Sequence, residues 1–338
     1  MKEKSKLEKD LLSEFRGKKI LVTGGSGSIG KGIVIQLLKY KPDNIRILSN
    51  DENSIFELRR FFGYNHNLTY MVGDVRDIDR LKFAIRNIDI VFHAAAMKHI
   101  DICEQNPFDA VKTNVIGTSN IIEASLLENV SKFIFISTDK ATNPSSTLGA
   151  SKLLAERLTQ DAGSYRGLGK TIFSIVRFGN VIGSRGSVYQ IFLEQLRKGK
   201  PLTVTDARMT RFIMSISEAA SLILKVIHIA KDGEIFILKM PTVKITDLAK
   251  TIAEVYKSRF PKAKLSSIKI SKVRARERLQ EFLVTQQEIP YCHDIGTMYK
   301  ISKTINKNEI PSNKFSSETT TEVSKSKLKK IVEELLDQ

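Results

Sequence analysis

Val22-Thr23-Gly24-Gly25-Ser26-Gly27-Ser28-Ile29-Gly30 ends one apolar run and opens an amphipathic one, and its spaced glycines decide how the chain is read. The residues before it, 19–22 (KILV), have the composition of a buried strand, and residues 30–39 carry a helical pattern. In such a strand–turn–helix the glycines permit a tight turn, backbone approach to a pyrophosphate and close packing of helix on strand. Free N–H groups and the positive end of the helix then face the anion. The turn predicts a site for a nicotinamide dinucleotide, with Gly24, Gly27, Ser28, Ile29 and Gly30 at its phosphates.

The same alternation continues outward. Residues 44–49, 68–72, 88–93, 132–137 and 171–177 read as further strands, with helices over 54–62, 109–128 and 151–165 between them. This rhythm predicts an α/β protein: a Rossmann doubly wound parallel sheet with a smaller C-terminal substrate-binding α/β domain. The expected organisation is a helical extension over 1–16 and a nucleotide-binding domain over 17–180, its sheet completed by part of 213–242. Residues 181–300 form mainly the substrate domain. The Ser-, Thr-, Asn- and Lys-rich stretch 303–321 reads as a poorly packed linker, so 301–338 become linker plus a C-terminal helix over 325–336, with Ser324 as its N-cap.

The second strand ends at Asp51, about 20 residues beyond the glycines, where an acid contacts the ribose 2′-hydroxyl of NAD and an Arg would suit the 2′-phosphate of NADP. No Arg is adjacent, which favours NAD over NADP. Asp74, followed by Val75, stands just past the third strand, placed to accept from the adenine amine or to cap the next helix. The 338 residues are 41% hydrophobic and 27% charged, with a formal net charge of +17. Basic and acidic residues are interleaved, and no basic block with aromatics or zinc-finger spacing occurs, so nucleic-acid binding is disfavoured. The 2 cysteines, Cys103 and Cys292, and the 5 histidines have no metal-ligand spacing, so no metal is expected. No apolar run reaches the roughly 18 residues of a membrane span, and residues 1–16 lack a signal-peptide core, which predicts a cytoplasmic protein.

The glycine spacing, the strand end His93-Ala94-Ala95-Ala96 and Asn114 in TNVIGT resemble the extended short-chain dehydrogenase/reductases. More narrowly, AAMKH (95–99), STDKATNP (137–144), RFGNVIGSRGSV (177–188) and TDARMTRF (205–212) resemble the CapD-like polysaccharide-biosynthesis branch, over about residues 17–285. That branch includes UDP-N-acetylglucosamine 4,6-dehydratases. Such an enzyme oxidises C4 of the sugar, removes the acidified C5 proton as the C6 hydroxyl leaves, and returns the hydride to C6.

The resemblance implies that Asp139 is the acid toward the leaving hydroxyl, Lys140 the base at C5, and Thr138 a hydrogen-bond partner of the sugar. A lysine base must be neutral, so its pKa is expected to be lowered. Ala94 and Ala95 border the cofactor and Lys152 bonds its nicotinamide ribose. The superfamily's tyrosine four residues before that lysine is here Leu148, and Asp139, with Thr138, is expected to take the C4-hydroxyl proton instead. Lys98, Asn180, Arg185, Ser187, Arg211, Arg274 and Glu277 are expected to hold the UDP-sugar, the arginines on its diphosphate. A UDP-sugar C4 epimerase is disfavoured by Asp139-Lys140, and a non-catalytic NAD(P)-binding regulator is the reading from another class. The resemblance further implies a homo-oligomer and a cofactor tightly held and recycled within each turnover.

Overall fold

Runs such as Ile90–His93, buried at every position, can form strands only where helices cover both faces of a sheet. The computed structural model, which describes residues 2–167, 169–263, 267–271, 276–308 and 310–337, has that arrangement. Parallel strands β1 (Lys19–Thr23), β2 (Asn44–Ser49), β3 (Leu68–Val72), β4 (Ile90–His93), β5 (Lys132–Ile136) and β6 (Ile172–Arg177) lie in the order β3-β2-β1-β4-β5-β6. The order reverses between β1 and β4, where an α/β sheet opens its ligand crevice. At that point Thr23 and His93 are paired in register, and Thr23 Oγ1 lies 2.6 Å from His93 Nδ1. Burial, with a smaller push from Lys152, lowers the His93 pKa to about 3, so the ring is a neutral hydrogen-bonding spacer.

The sheet continues past β6 through Ile235–Leu238, Met298–Ile301 and Cys292–Asp294, the last two antiparallel. Ile235–Leu238 falls in the stretch expected to complete the sheet; the two later strands come from residues expected in the substrate domain. A second core, with Phe192, Leu202, Ile213 and Leu248, gathers around the helices Val188–Arg197 and Ile245–Arg259. The C-terminal helix Lys325–Leu336 adds Leu328 and Val332 to it, and Ser324 caps that helix by accepting from Lys327 N.

Two local departures matter for the site. The helix expected over 109–128 is interrupted by a π-turn at Lys112–Ile116, a form common at functional positions. It carries Asn114, whose side chain accepts from Met97 N (2.8 Å) and donates to Ser151 Oγ (2.9 Å), tying the loop after β4 to the helix Thr147–Asp161. Part of the stretch 303–321 is packed: Ile310, Phe315, Ser316 and Ser317 are buried, while 303–305 and 311–314 are exposed. Phe315 is buried against Tyr299, and Ser317 Oγ lies 2.8 Å from Thr210 Oγ1 and accepts from Glu281 N at 2.9 Å. Its hydroxyls satisfy irregular backbone, and one aromatic anchor holds it in the core.

At the end of β6, fully buried Arg177 is gripped by Glu156 (2.6 Å) and Glu288 (2.9 Å) and donates to Leu283 O. This joins the parallel sheet to the segment that carries residues 281–289. Glu288→Ala leaves a buried cation half paired, and we expect destabilisation of about 3–5 kcal/mol. The urea midpoint at unchanged slope measures it; a loss under about 1 kcal/mol would show the pair to be dispensable.

Candidate active site

The turn after β1 is built as its glycines require. Gly24 has φ +63°, and a Cβ there would come within 2.7 Å of the Ala95 backbone. A Cβ on Gly30 would lie 2.3 Å from Gly24 O. The turn opens on a cleft of about 750 Å³ lined by Gly24, Gly27, Ser28, Ile29, Gly30, Asp51, Asp74, Val75, Ala94, Ala95 and Lys152. All the residues expected at the cofactor thus border one crevice, and the bare backbone of the turn leaves the space that a pyrophosphate needs.

The two acids there are already engaged. Asp51 caps the helix Glu52–Phe62 by accepting from Ser54 N (3.0 Å) and Ser54 Oγ, and these bonds lower its pKa. Asp74 receives Arg76 at 2.7 Å and Asn50 at 3.3 Å, and its pKa is likewise lowered, chiefly by Arg76. Lys152 lies under the cleft, donating to Ile136 O at 2.9 Å, and burial lowers its pKa to about 8. The helix that carries it begins at Thr147 and not at 151, because Ser146 caps it by accepting from Gly149 N. Leu148, in the place of the missing phenol, is buried with Cys103 and Ala110.

Arg185 is tied to the helix that Asp51 caps. Its guanidinium donates to Ser54 Oγ at 2.7 Å and approaches Glu57 at 3.5 Å, while its backbone N donates to Ser28 Oγ at 3.0 Å. It lines the large cleft beside Asp51, together with Lys98, Asn180 and Ser187. The preference for NAD assumed no arginine at this corner, and the fold brings one there from far along the chain. Lys98 Nζ donates to Arg185 O, so Lys98 and Arg185 together form a strap over the cleft.

A second cavity of about 210 Å³ is lined by Ser146, Asn180, Arg211, Glu277, Arg278 and Glu281, among others. Lys140 and Asn180 border both cavities, so the Asp139-Lys140 turn stands at their junction. Ser187 lines the cofactor side, and Asn180 Oδ1 and Ser187 Oγ are buried without a hydrogen-bond partner. Arg274 lies outside the described residues. Arg211 is held by the carbonyls of Thr210, Arg278 and Leu279.

At the junction Thr138 Oγ1 donates to Asp139 Oδ1 at 3.0 Å, and Lys140 Nζ donates to the same oxygen at 2.9 Å. Asp139 is fully buried and its Oδ2 has no partner. Glu281, which sequence reasoning missed, brings Oε1 within 3.6 Å of Lys140 Nζ and 3.8 Å of Arg211 Nε. Burial opposes the charge of Lys140, but the Asp139 and Glu281 carboxylates outweigh it and raise the lysine pKa. The expected lowering is therefore not found: in this arrangement Lys140 is an ammonium.

Residues 20–303 match the family model described as polysaccharide biosynthesis protein. Over 332 residues the chain is 49% identical to an uncharacterised membrane protein of Methanocaldococcus jannaschii, covering 96% of this chain and 98% of that one. No helix among the described residues is long and apolar enough to cross a membrane. The chain is 42% identical over 293 residues to an inverting UDP-N-acetylglucosamine 4,6-dehydratase of Campylobacter jejuni, with 86% and 84% covered. It is 37% identical over 292 residues to a UDP-glucose 4-epimerase of Rickettsia typhi, with 85% and 83% covered. The X-ray structure of Pen from Bacillus thuringiensis matches with TM-score 0.89 at 38% identity, covering 96% and 98%. Matched over most of its length by one family model and almost end to end by its relatives, the chain belongs to the polysaccharide biosynthesis protein family.

Proposed function

We propose that the protein is a nucleotide-sugar 4,6-dehydratase that converts UDP-N-acetylglucosamine to a UDP-4-keto-6-deoxy sugar. The observation that carries this is the Asp139-Lys140 contact of 2.9 Å at the junction of two cavities, one shaped for a dinucleotide and one lined by Arg211, Asn180 and Glu277. Both reactions need a group that takes the C4-hydroxyl proton, but only dehydration needs in addition a base at C5 and an acid toward the departing C6 hydroxyl, side by side. The name of the C. jejuni relative supports the same reading.

A nicotinamide dinucleotide, when bound, supplies reversible hydride acceptance to this site. Gly24, Gly27, Ser28, Ile29 and Gly30 would hold its phosphates, and Lys152 its nicotinamide ribose. Arg211 and Asn180 bind the substrate diphosphate and Glu277 the uridine ribose. Asp139, hydrogen-bonded by Thr138, accepts the C4-hydroxyl proton and later gives it to the departing C6 hydroxyl. Lys140 removes the C5 proton, and it has to part with one of its own protons before it can do so. The cofactor is retained and serves successive turnovers.

An epimerase is the second reading, favoured by the name of the R. typhi relative. Purified protein incubated with UDP-N-acetylglucosamine decides between them by product mass. The expected product is lighter by one water. A new sugar of unchanged mass would mean epimerase, and no turnover would favour a non-catalytic role.

A further inference from the structure

Glu281 is a carboxylate in an unusual position. It is 3% exposed, its Oε2 is buried without a hydrogen-bond partner, and its Oε1 lies 3.6 Å from the Lys140 ammonium. Its backbone is pinned by Ser317, which accepts from Glu281 N at 2.9 Å and donates its own N–H to Glu281 O at 2.9 Å. The segment that resembled a linker therefore holds the backbone that carries this side chain. Charged groups face it from three directions: Asp139 and Lys140 from the turn after β5, Arg211 from the strand Thr210–Met214, and Arg278 from its own segment, with Glu277 beyond Arg211.

Lys140 thus sits between two carboxylates that cannot do the same work. If its surplus proton moved to Asp139, that oxygen would be filled before the C4-hydroxyl proton arrived. We propose that Glu281, on closing its 3.6 Å ion-pair contact to hydrogen-bond distance, is the residue that relieves Lys140 of this proton, leaving Asp139 free for the substrate's. The step balances without any further reactant: the Lys140 ammonium and the Glu281 carboxylate become an amine and a carboxylic acid. Lys140 then removes the C5 proton as Asp139 releases its proton to the leaving hydroxyl. Protonation of C5 as hydride reaches C6 restores the neutral amine. Burial pushes the Glu281 pKa up, with Asp139 adding to it against the pull of Lys140 and Arg211, so its acid form is accessible. Glu281 acts through Lys140 and is a positioning residue, not one that touches the sugar's reacting atoms.

This inference rests on the dehydratase reading, and the two fail differently. If wild-type protein forms no dehydrated product, the reading fails; the inference is tested only through how the rate depends on pH. With internal transfer, wild-type kcat should be flat across neutral pH. Glu281→Gln should lower kcat at neutral pH by about 10²-fold and make it rise by about tenfold per pH unit, because the proton must now leave to solvent. KM should change little. Glu281→Asp keeps a carboxylate and should restore the flat profile at an intermediate rate. A wild-type kcat that itself climbs tenfold per unit would overturn the proposal even if Glu281→Gln did not fold. So would a folded Glu281→Gln whose profile stays flat, since a merely structural glutamate would scale the rate without tilting it.

Discussion

Asp139→Asn is expected to lower the dehydration rate of UDP-N-acetylglucosamine by about 10³-fold or more, with little change in KM. The size follows from the proposed mechanism, in which two proton transfers rest on one carboxyl group. Oδ1 receives Thr138 and Lys140, and Oδ2, buried and without a donor, is the oxygen left for the substrate. An amide preserves the shape but accepts no proton from the C4 hydroxyl and gives none to the departing C6 hydroxyl. KM is spared because the candidate diphosphate ligands, Arg211 and Asn180, lie elsewhere in the wall. Single-turnover experiments with Asp139→Asn separate the two roles. If C4 oxidation proceeds at the wild-type rate while dehydration stops, Asp139 is the acid only. Something other than Asp139 then replaces the phenol absent at Leu148. Full dehydration by this variant would remove Asp139 from the chemistry.

The same residues show what could be read from the chain and what could not. The turn at 24–30 was legible because glycine is demanded there by backbone geometry, and the strands because a sheet covered on both faces leaves long apolar runs. Most of the candidate cofactor residues lie within a few positions of strand ends, where local pattern points, whereas Lys152 lies within the helix Thr147–Asp161 and was indicated only by the resemblance. The contact of Arg185 with Ser54, beside Asp51, was not legible because the two residues are distant in the chain and only the fold brings them together. Glu281 stood in an unremarkable charged run, RERLQE, and became visible only when the fold buried it beside Lys140. The protonation state of Lys140 depends on the same contact, which is why a lowered pKa was expected and a raised one found. The packing of residues 315–317 was not legible because a serine looks like solvent-facing polarity, whereas Ser317 serves as a partner for buried groups.

Gly30→Ala is expected to weaken dinucleotide binding by at least about 100-fold, since the new methyl breaks the cradle that sets phosphate affinity. The added Cβ would lie 2.3 Å from Gly24 O and 2.5 Å from Gly25 Cα. Both atoms belong to the backbone, so no rotamer change relieves the clash, and the turn must open. Gly24 already stands at φ +63°, so a shift there carries the loop away from the helix end that faces the phosphates. The proposed reaction makes this loss diagnostic. A cofactor reduced and reoxidised within each cycle gains nothing by leaving, so wild-type protein should arrive with dinucleotide bound and turn over many equivalents of substrate without supplement. Gly30→Ala should be purified empty and work only when NAD or NADP is added, with activity rising as the added dinucleotide saturates it. Cofactor content after denaturation and extraction measures the first point, and turnover against added dinucleotide the second. Wild-type protein that consumed one NAD(P) per product would defeat the recycled-cofactor reading. A Gly30→Ala variant that kept its dinucleotide would show that the phosphates rest elsewhere than on this turn.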